Sequence, residues 1–418
     1  MPCRIDTTKA KPGSPLPAAP LPEPLAWIDE SLAKLDAGGL RRVLRVRQGR
    51  QGRLVALAGR ELLNFGSNDY LGYAGDVRLT RACSKGSCSE GFGSGASPLV
   101  SGQSEAHEGL EASLADLLEV EAAVVFPSGF AANSATIPAL VGEGDLLISD
   151  ERNHASIIDG CRLSRADLLV YPHRDMAALE SRLAAARPAR RTLIVTDSLF
   201  SMDGTVAPLA DLCEIARRHG AMLMVDEAHG TGVFGERGSG LVEATGCSDG
   251  VHVRVGTLSK ALGTAGGFVA GPRPLTDWLR HAARAWVFST AHPPGVAAAA
   301  SRAVQLLTEE PCRRQELLAK AASFRERLAA GGVATASPKA AANDAPREAG
   351  SQIVPVVVGT AEQAVALAEH LASDGFFVPA IRPPSVPQGG SLVRVSLSWH
   401  HTDDDLAALA AAIARHLP

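Results

Sequence analysis

Six short apolar runs recur between residues 105 and 270, each separated from the next by a stretch with helical spacing: AAVVF (122–126), DLLIS (145–149), LLVY (168–171), TLIVTD (192–197), MLMVD (222–226) and VHVRVG (251–256). Runs this short make strands rather than helices, and a strand that is apolar at nearly every position is covered on both faces. The helical stretches between them are long enough for crossovers that return each strand parallel to the last. The reading is an α/β fold, a mostly parallel central sheet with helices on both faces. In such a sheet ligands lie beyond the carboxyl ends of the strands, so the residues just after each run carry the search for function.

The flanks set the domain organisation. Residues 1–24 are rich in proline and alanine and lack a continuous apolar segment, which fits a disordered leader and not a secretory signal. Residues 25–62 hold AWIDESLAKLDAGGLRRVLRV, helically spaced but interrupted at Gly38 and Gly39, and RLVALAGRELLNF, which reads as a hairpin. A large domain follows over 63–292, then a helical connection and a smaller α+β domain over 293–418. Within the last part, 329–351 reads as a surface loop and GFFVPAI (375–381) as a strand.

Bulk composition narrows the function classes. Forty-one basic against 45 acidic side chains leave a net charge of −4, so no global field draws in nucleic acid or an acidic membrane surface. No apolar run approaches the roughly 20 residues that cross a bilayer. The seven cysteines form no CxxC pair, which argues against a disulfide framework or a zinc site and for reduced cytoplasmic thiols. Neither GxxxxGK[ST] nor a GxGxxG opening the first βαβ unit occurs. The expectation is a soluble cytoplasmic protein acting on small molecules, with no metal.

Several runs end in residues with chemistry to offer. AAVVF is followed by Ser128, Gly129 and Phe130, a helix start whose free amides and dipole suit a phosphate, although an ordinary capped helix reads equally well. DLLIS leads to His154, and TLIVTD to Ser201 and Asp203; alone, these are a surface histidine and a turn. MLMV ends in Asp226, a carboxylate expensive to bury unless a cation faces it. VHVRVG leads to Thr257 and Lys260, then glycines at 263, 266 and 267. Lysines in loops are usually solvated, but a desolvated amine beside a carboxylate, an anion site and backbone room for a planar ring is suited to condense with an aldehyde. These elements at consecutive strand ends fit pyridoxal 5′-phosphate: Asp226 on the protonated pyridine nitrogen, Lys260 on the aldehyde carbon, and the phosphate on the Gly129/Phe130 helix start and Thr257.

LNFGSNDYLG (63–72), GSGASPLVSG (93–102), FPSGFAAN (126–133), SLFSMDGTVAPL (198–209), MVDEAHGTGVFGERGSG (224–240) and GTLSKALGTAGGF (256–268) resemble the α-oxoamine synthases. These are fold-type I enzymes using pyridoxal 5′-phosphate, which condense an amino acid with an acyl thioester and lose CO2. The resemblance runs from about residue 25 to the C-terminus. Through AIRPPSVPQGGSLVRVSLSWHHT (380–402) it is strongest with the member that joins L-alanine to a pimeloyl thioester, on CoA or a carrier protein.

The resemblance implies roles. Lys260, Asp226, His154 and His229 would be catalytic. His229 and Ser201 would contact the cofactor near its phenolic oxygen, and His154 would stack on the ring and touch substrate. Ser128, Gly129, Phe130 and Thr257 would bind the phosphate, with Ser289 or Thr290 reaching across from the second subunit of a homodimer. Arg382 would hold the amino-acid carboxylate, with Asn68 and Ser385 nearby, and Arg41 the acyl substrate, a place Arg42 fills nearly as well. Pro98, Ser385 and Trp399 depart from the family's usual residues. The alternatives are another α-oxoamine synthase, taking glycine or serine with a different acyl-CoA, and a non-catalytic protein of the same fold.

Overall fold

The computed structural model describes residues 22–335 and 350–417, so most of the leader expected over 1–24 and of the loop expected over 329–351 lies outside the described residues. The described ends of those two stretches hold a 3-10 turn from Glu23 and the last residues of a helix ending at Ala330. The chain divides into two compact units, one ending at Leu44 and one beginning at Arg45. In the first, the 3-10 turn Glu23–Leu25 leads into the helix Ala26–Ala37. Gly39, at φ +62°, ends that helix, and the Leu40 amide donates back to the Leu35 carbonyl at 2.8 Å. Arg41 follows and pairs with Asp36 at 3.5 Å.

The second unit opens with strands β1 (Arg47–Gln48), β2 (Leu54–Leu57) and β3 (Arg60–Asn64). β2 and β3 form the expected hairpin. Its two-residue turn places Ala58 and Gly59 at φ +51° and +79°, the backbone twist that tight hairpins require.

The central sheet contains β4 (Ala122–Phe126), β5 (Leu146–Asp150), β6 (Asp167–Tyr171), β7 (Thr192–Asp197), β8 (Met222–Asp226), β9 (Val253–Thr257) and β10 (Gly267–Gly271), in the order β4-β10-β9-β8-β7-β5-β6. Six of these are the six apolar runs. The seventh, β10, is antiparallel to both β4 and β9. All other pairs are parallel, so β4 and the β5–β9 block point the same way and their carboxyl ends share one edge. Both faces of the sheet's centre are covered: Leu223 and Val225 of β8 pack into one apolar cluster and Met224 into the other, each fully buried. The edge strand β6 instead leaves Leu168 and Val170 exposed, contrary to the expectation for that run. Truncating such a side chain typically costs about 2–5 kcal/mol.

β10 begins within GTAGGF, where glycine lets two backbones approach closely. Gly267 lies between Phe126 and Thr257, and a methyl carbon added to it would sit 2.5 Å from the Gly129 nitrogen. The strand therefore supports the helix Gly129–Leu140 at its first residue.

The C-terminal stretch brings helices Pro294–Glu309 and Cys312–Ala330, then β11 (Ile353–Gly359), helix Ala361–Ser373, β12 (Phe376–Phe377), β13 (Ala380–Ile381), β14 (Ser391–Ser396) and helix Asp403–His416. The single strand expected over 375–381 is instead two. Pro379 has no amide hydrogen to continue a ladder, and the chain crosses there from β12, paired to β3, to β13, paired to β14. β14 lies between β11 and β13, and all six of its residues are buried. Among the described residues no helix is long and apolar enough to cross a membrane.

Gly267→Ala forces the helix start away from β10. We expect a loss of about 1–3 kcal/mol in urea unfolding, the usual range for an overpacked position. Gly246→Ala, where nothing lies within 4 Å of an added methyl, retains more stability despite its positive φ.

Candidate active site

Three parallel strands end in buried carboxylates, Asp150 on β5, Asp197 on β7 and Asp226 on β8, with Asp197 and Asp226 directly opposite in register. Two adjacent carboxylates in an apolar sheet do not both hold a charge easily. Burial first, and then the charge of Asp226, push the Asp197 carboxyl well above the usual range. Asp197 is placed to organise the edge: it accepts from the His154 amide at 2.7 Å.

Asp226 is only 5% exposed. It accepts from Asn133 Nδ2 at 2.6 Å and from the Ala228 amide at 2.7 Å, both neutral donors. Among the described residues no cation lies within ion-pair distance of it. Asn133 lies in the first turns of the helix that starts after Ser128, and its own Oδ1 is buried with no partner among the described residues. A buried carboxylate held by neutral donors is a seat for an external cation.

Lys260 sits in the loop joining β9 to β10. Gly263 at φ +63° closes this loop, with its amide on the Lys260 carbonyl at 2.9 Å and no room for a side chain beside Tyr73. Burial lowers the Lys260 amine to about 8, although Asp226 and Asp197 pull it upward. Its Nζ lies 2.9 Å from Nε2 of His229. His229 is 5% exposed, and burial, then the charge of Lys260, hold its ring well below the ordinary histidine value, so it is neutral. Nδ1 of His229 lies 2.6 Å from the Tyr70 hydroxyl, and Arg394 Nη1 and Tyr70 both donate to Asn68 Oδ1 at 3.1 Å.

At the other end of this edge, Ser128 caps the helix Gly129–Leu140 by accepting from the Ala131 amide at 3.0 Å. The first-turn amides of Gly129 and Phe130 have no acceptor within their own helix. Thr257 lies against Gly129, 3.3 Å from where a methyl carbon would stand, and its hydroxyl is 2.8 Å from that of Ser259. His154 is exposed, edge-on to Phe130 with ring centroids 6.5 Å apart, and its Nδ1 accepts from the Ser156 amide.

Lys260, Asp226, His229, Thr257, Ser128, Gly129, Phe130 and His154 thus lie at or just after the carboxyl ends of β4, β5, β8 and β9. Asn68 joins them through Tyr70, and the Ser201 carbonyl accepts from Arg394 Nε. Arg382 directly follows β13 and is half-buried, while Ser385 is exposed with its amide on the Arg382 carbonyl at 3.0 Å. Ser289 and Thr290 line a small cavity with His107, Phe126 and His292. Arg41 belongs to the first unit. The ring of Trp399 packs on Arg313, 4.1 Å from its guanidinium carbon, and donates to Glu316 at 2.7 Å; these contacts lie on the helix Cys312–Ala330. Asn133, Asp197, Tyr70 and Arg394 are polar groups of the site that sequence reading does not assign. Each lies inside a stretch already singled out, Tyr70 in LNFGSNDYLG, Asn133 in FPSGFAAN, Asp197 in TLIVTD and Arg394 in the segment 380–402, but no local pattern marks the residue itself.

The residues fit pyridoxal 5′-phosphate. A seat for a cation, an amine of lowered basicity and a capped helix start match its protonated ring nitrogen, aldehyde and phosphate. Comparison with known proteins agrees. Residues 60–413 match the family model of class I and II aminotransferases. The chain is 48% identical over 394 residues to the 8-amino-7-oxononanoate synthase of Anaeromyxobacter dehalogenans, covering 94% of this chain and 96% of the relative. It is 47% identical over 386 residues to the synthase of that name from Geobacter sulfurreducens, covering 92% and 96%. Among solved structures, a serine palmitoyltransferase of S. paucimobilis with a bound pyridoxal phosphate–myriocin adduct superposes with a TM-score of 0.87 at 29% identity, over 94% of this chain and 97% of that one. The fold-type I α/β class expected from the sequence is the one observed.

The neutral form of Lys260 is the reactive one, so trapping of that amine by a small aldehyde and reductant in the cofactor-free protein rises with pH through about 8 and then levels off. Asp226→Asn removes a charge that favours the ammonium, and the midpoint falls below about 8. Peptide mass spectrometry of Lys260 across pH checks both.

Proposed function

We propose, from the premise that the chain belongs to the 8-amino-7-oxononanoate synthase family, that it joins L-alanine to a pimeloyl thioester and releases the thiol and CO2, yielding 8-amino-7-oxononanoate for biotin biosynthesis. The carrier of the pimeloyl group is CoA or an acyl carrier protein, the working unit a homodimer, and the compartment the cytoplasm. The observation that carries the reading is the buried carboxylate of Asp226, held among the described residues by neutral donors, beside an amine lowered to about 8.

Bound pyridoxal 5′-phosphate supplies an aldehyde that takes up amines and a protonated ring that withdraws electrons from the substrate α-carbon. The chain's residues do the rest. Asp226 keeps the ring nitrogen protonated. Lys260 moves the proton at the α-carbon; burial lowers its amine to about 8, so far more of it is neutral near neutral pH than of an ordinary lysine. His229 and Ser201 contact the phenolic oxygen, and His154 covers the exposed face of the ring. Ser128, Gly129, Phe130 and Thr257 hold the phosphate, joined by Ser289 or Thr290 of a second copy. Arg382, stiffened by the two prolines that follow it, orients the alanine carboxylate, with Asn68 and Ser385 beside the substrate. Arg41 contacts the acyl chain.

A second reading, serine with a long-chain acyl thioester, draws on the backbone likeness to serine palmitoyltransferase; the higher identity to the alanine-using family outweighs it. Incubating the enzyme with alanine, glycine or serine against pimeloyl-, acetyl- and palmitoyl-CoA, with products identified by mass, separates them. Alanine with pimeloyl-CoA is expected to exceed every other pair by at least about tenfold, the effect of one well-placed pocket contact. Faster turnover of serine or glycine overturns the assignment. Arg382→Lys retains charge but loses the planar fork, and we expect KM for alanine to rise about tenfold or more with a fall in kcat. Arg41→Ala raises KM for the thioester alone.

A further inference from the structure

Tyr70 is fully buried, and its single hydroxyl proton faces two acceptors: Nδ1 of His229 at 2.6 Å and Oδ1 of Asn68 at 3.1 Å. Asn68 Oδ1 already receives a hydrogen bond from Arg394 Nη1, and Arg394 Nη2 lies 3.4 Å from the Tyr70 oxygen. The hydroxyl can therefore turn either way without stranding Asn68. Its orientation is tied to the imidazole. When the Lys260 ammonium donates to Nε2 of His229, the neutral ring carries its proton on Nδ1 and gives it to the Tyr70 oxygen, and the hydroxyl points to Asn68. When Nε2 must instead carry the proton, Nδ1 becomes an acceptor and the hydroxyl turns to it. A buried imidazole nitrogen without a partner is costly in either form.

We propose that Tyr70 is a positioning residue whose hydroxyl keeps Nδ1 of His229 satisfied in both tautomers, so that the imidazole accepts from Lys260 in the free protein and donates to the cofactor once the lysine amine is consumed. The inference rests on the reading of this edge as a cofactor site, not on the identity of the amino acid or thioester. The charged and titratable groups facing the pair are Lys260, Arg394 and His154 around His229, and Asp226 and Asp197 around Lys260. Burial and the Lys260 charge keep His229 neutral, which makes its tautomer the variable.

Nitrogen-15 NMR of ring-labelled histidine reads the tautomer directly. In the unmodified full chain stripped of cofactor, near pH 7, Nδ1 of His229 is expected to carry the proton; on addition of pyridoxal 5′-phosphate the proton moves to Nε2. The same nitrogen protonated in both states overturns the proposal, whether or not any variant folds. In Tyr70→Phe the ring shape is kept and Nδ1 loses its partner, so the proton is expected on Nε2 even without cofactor. Lys260 then loses its acceptor, and the pH midpoint for trapping its amine falls by about one unit. A purely structural role for Tyr70 lowers the unfolding temperature and leaves the tautomer and the midpoint unmoved, which also overturns the proposal. Failure of the alanine and pimeloyl reading would show in the substrate matrix and leave these cofactor-free measurements as they are.

Discussion

A carboxylate buried at the end of an apolar strand, paired with no cation among the described residues, is the constraint around which the rest of the site is arranged. Asp226 is desolvated by the same sheet that stabilises the fold, and Asn133 and the Ala228 amide only partly replace its water. Its charge acts in two directions. It pushes the neighbouring Asp197 toward the protonated form, and it supports the ammonium of Lys260 against burial. The amine ends near 8 because desolvation outweighs that support. A cofactor with a protonated ring nitrogen completes the ion pair that the chain leaves open.

The sheet topology explains why these groups meet. Parallel strands place their carboxyl ends on one edge, so residues far apart in the chain converge without long loops. β10 is the exception that makes the edge usable. Running antiparallel between β4 and β9, it brings glycine backbone under the Ser128 helix start and returns the Lys260 loop to the sheet. From the other side, β14 delivers Arg394 to Asn68, Tyr70 and the Ser201 carbonyl, linking the last described strand to Lys260 through a continuous set of hydrogen bonds.

Much of this arrangement is legible in the amino-acid sequence alone. Five of the six apolar runs are strands whose local pattern and burial agree, while the sixth, β6, lies at the sheet edge with Leu168 and Val170 exposed. Asp226 and Lys260 stand out because charged residues at the ends of such runs need a reason. Other parts are not legible there, for physical causes. β10 is short and glycine-rich, and its strand character comes from the two neighbours that pair with it. GFFVPAI reads as one strand because its apolar residues run on, but Pro379 ends the ladder. Arg394, flanked by valines in SLVRVS, is buried only because both faces of β14 are covered. Tyr70 and Asn133 gain their roles from partners 159 and 93 residues away, a separation that no local pattern records.

The central claim is that the lysine beside Asp226 is the residue that holds the cofactor. Reducing the enzyme loaded with pyridoxal 5′-phosphate with borohydride and mapping its peptides by mass tests this directly. The account predicts that the reduced cofactor is fixed to the peptide containing Lys260 and that the yellow colour is lost in step. A label on any other lysine, or bleaching with no label on the protein, would contradict it.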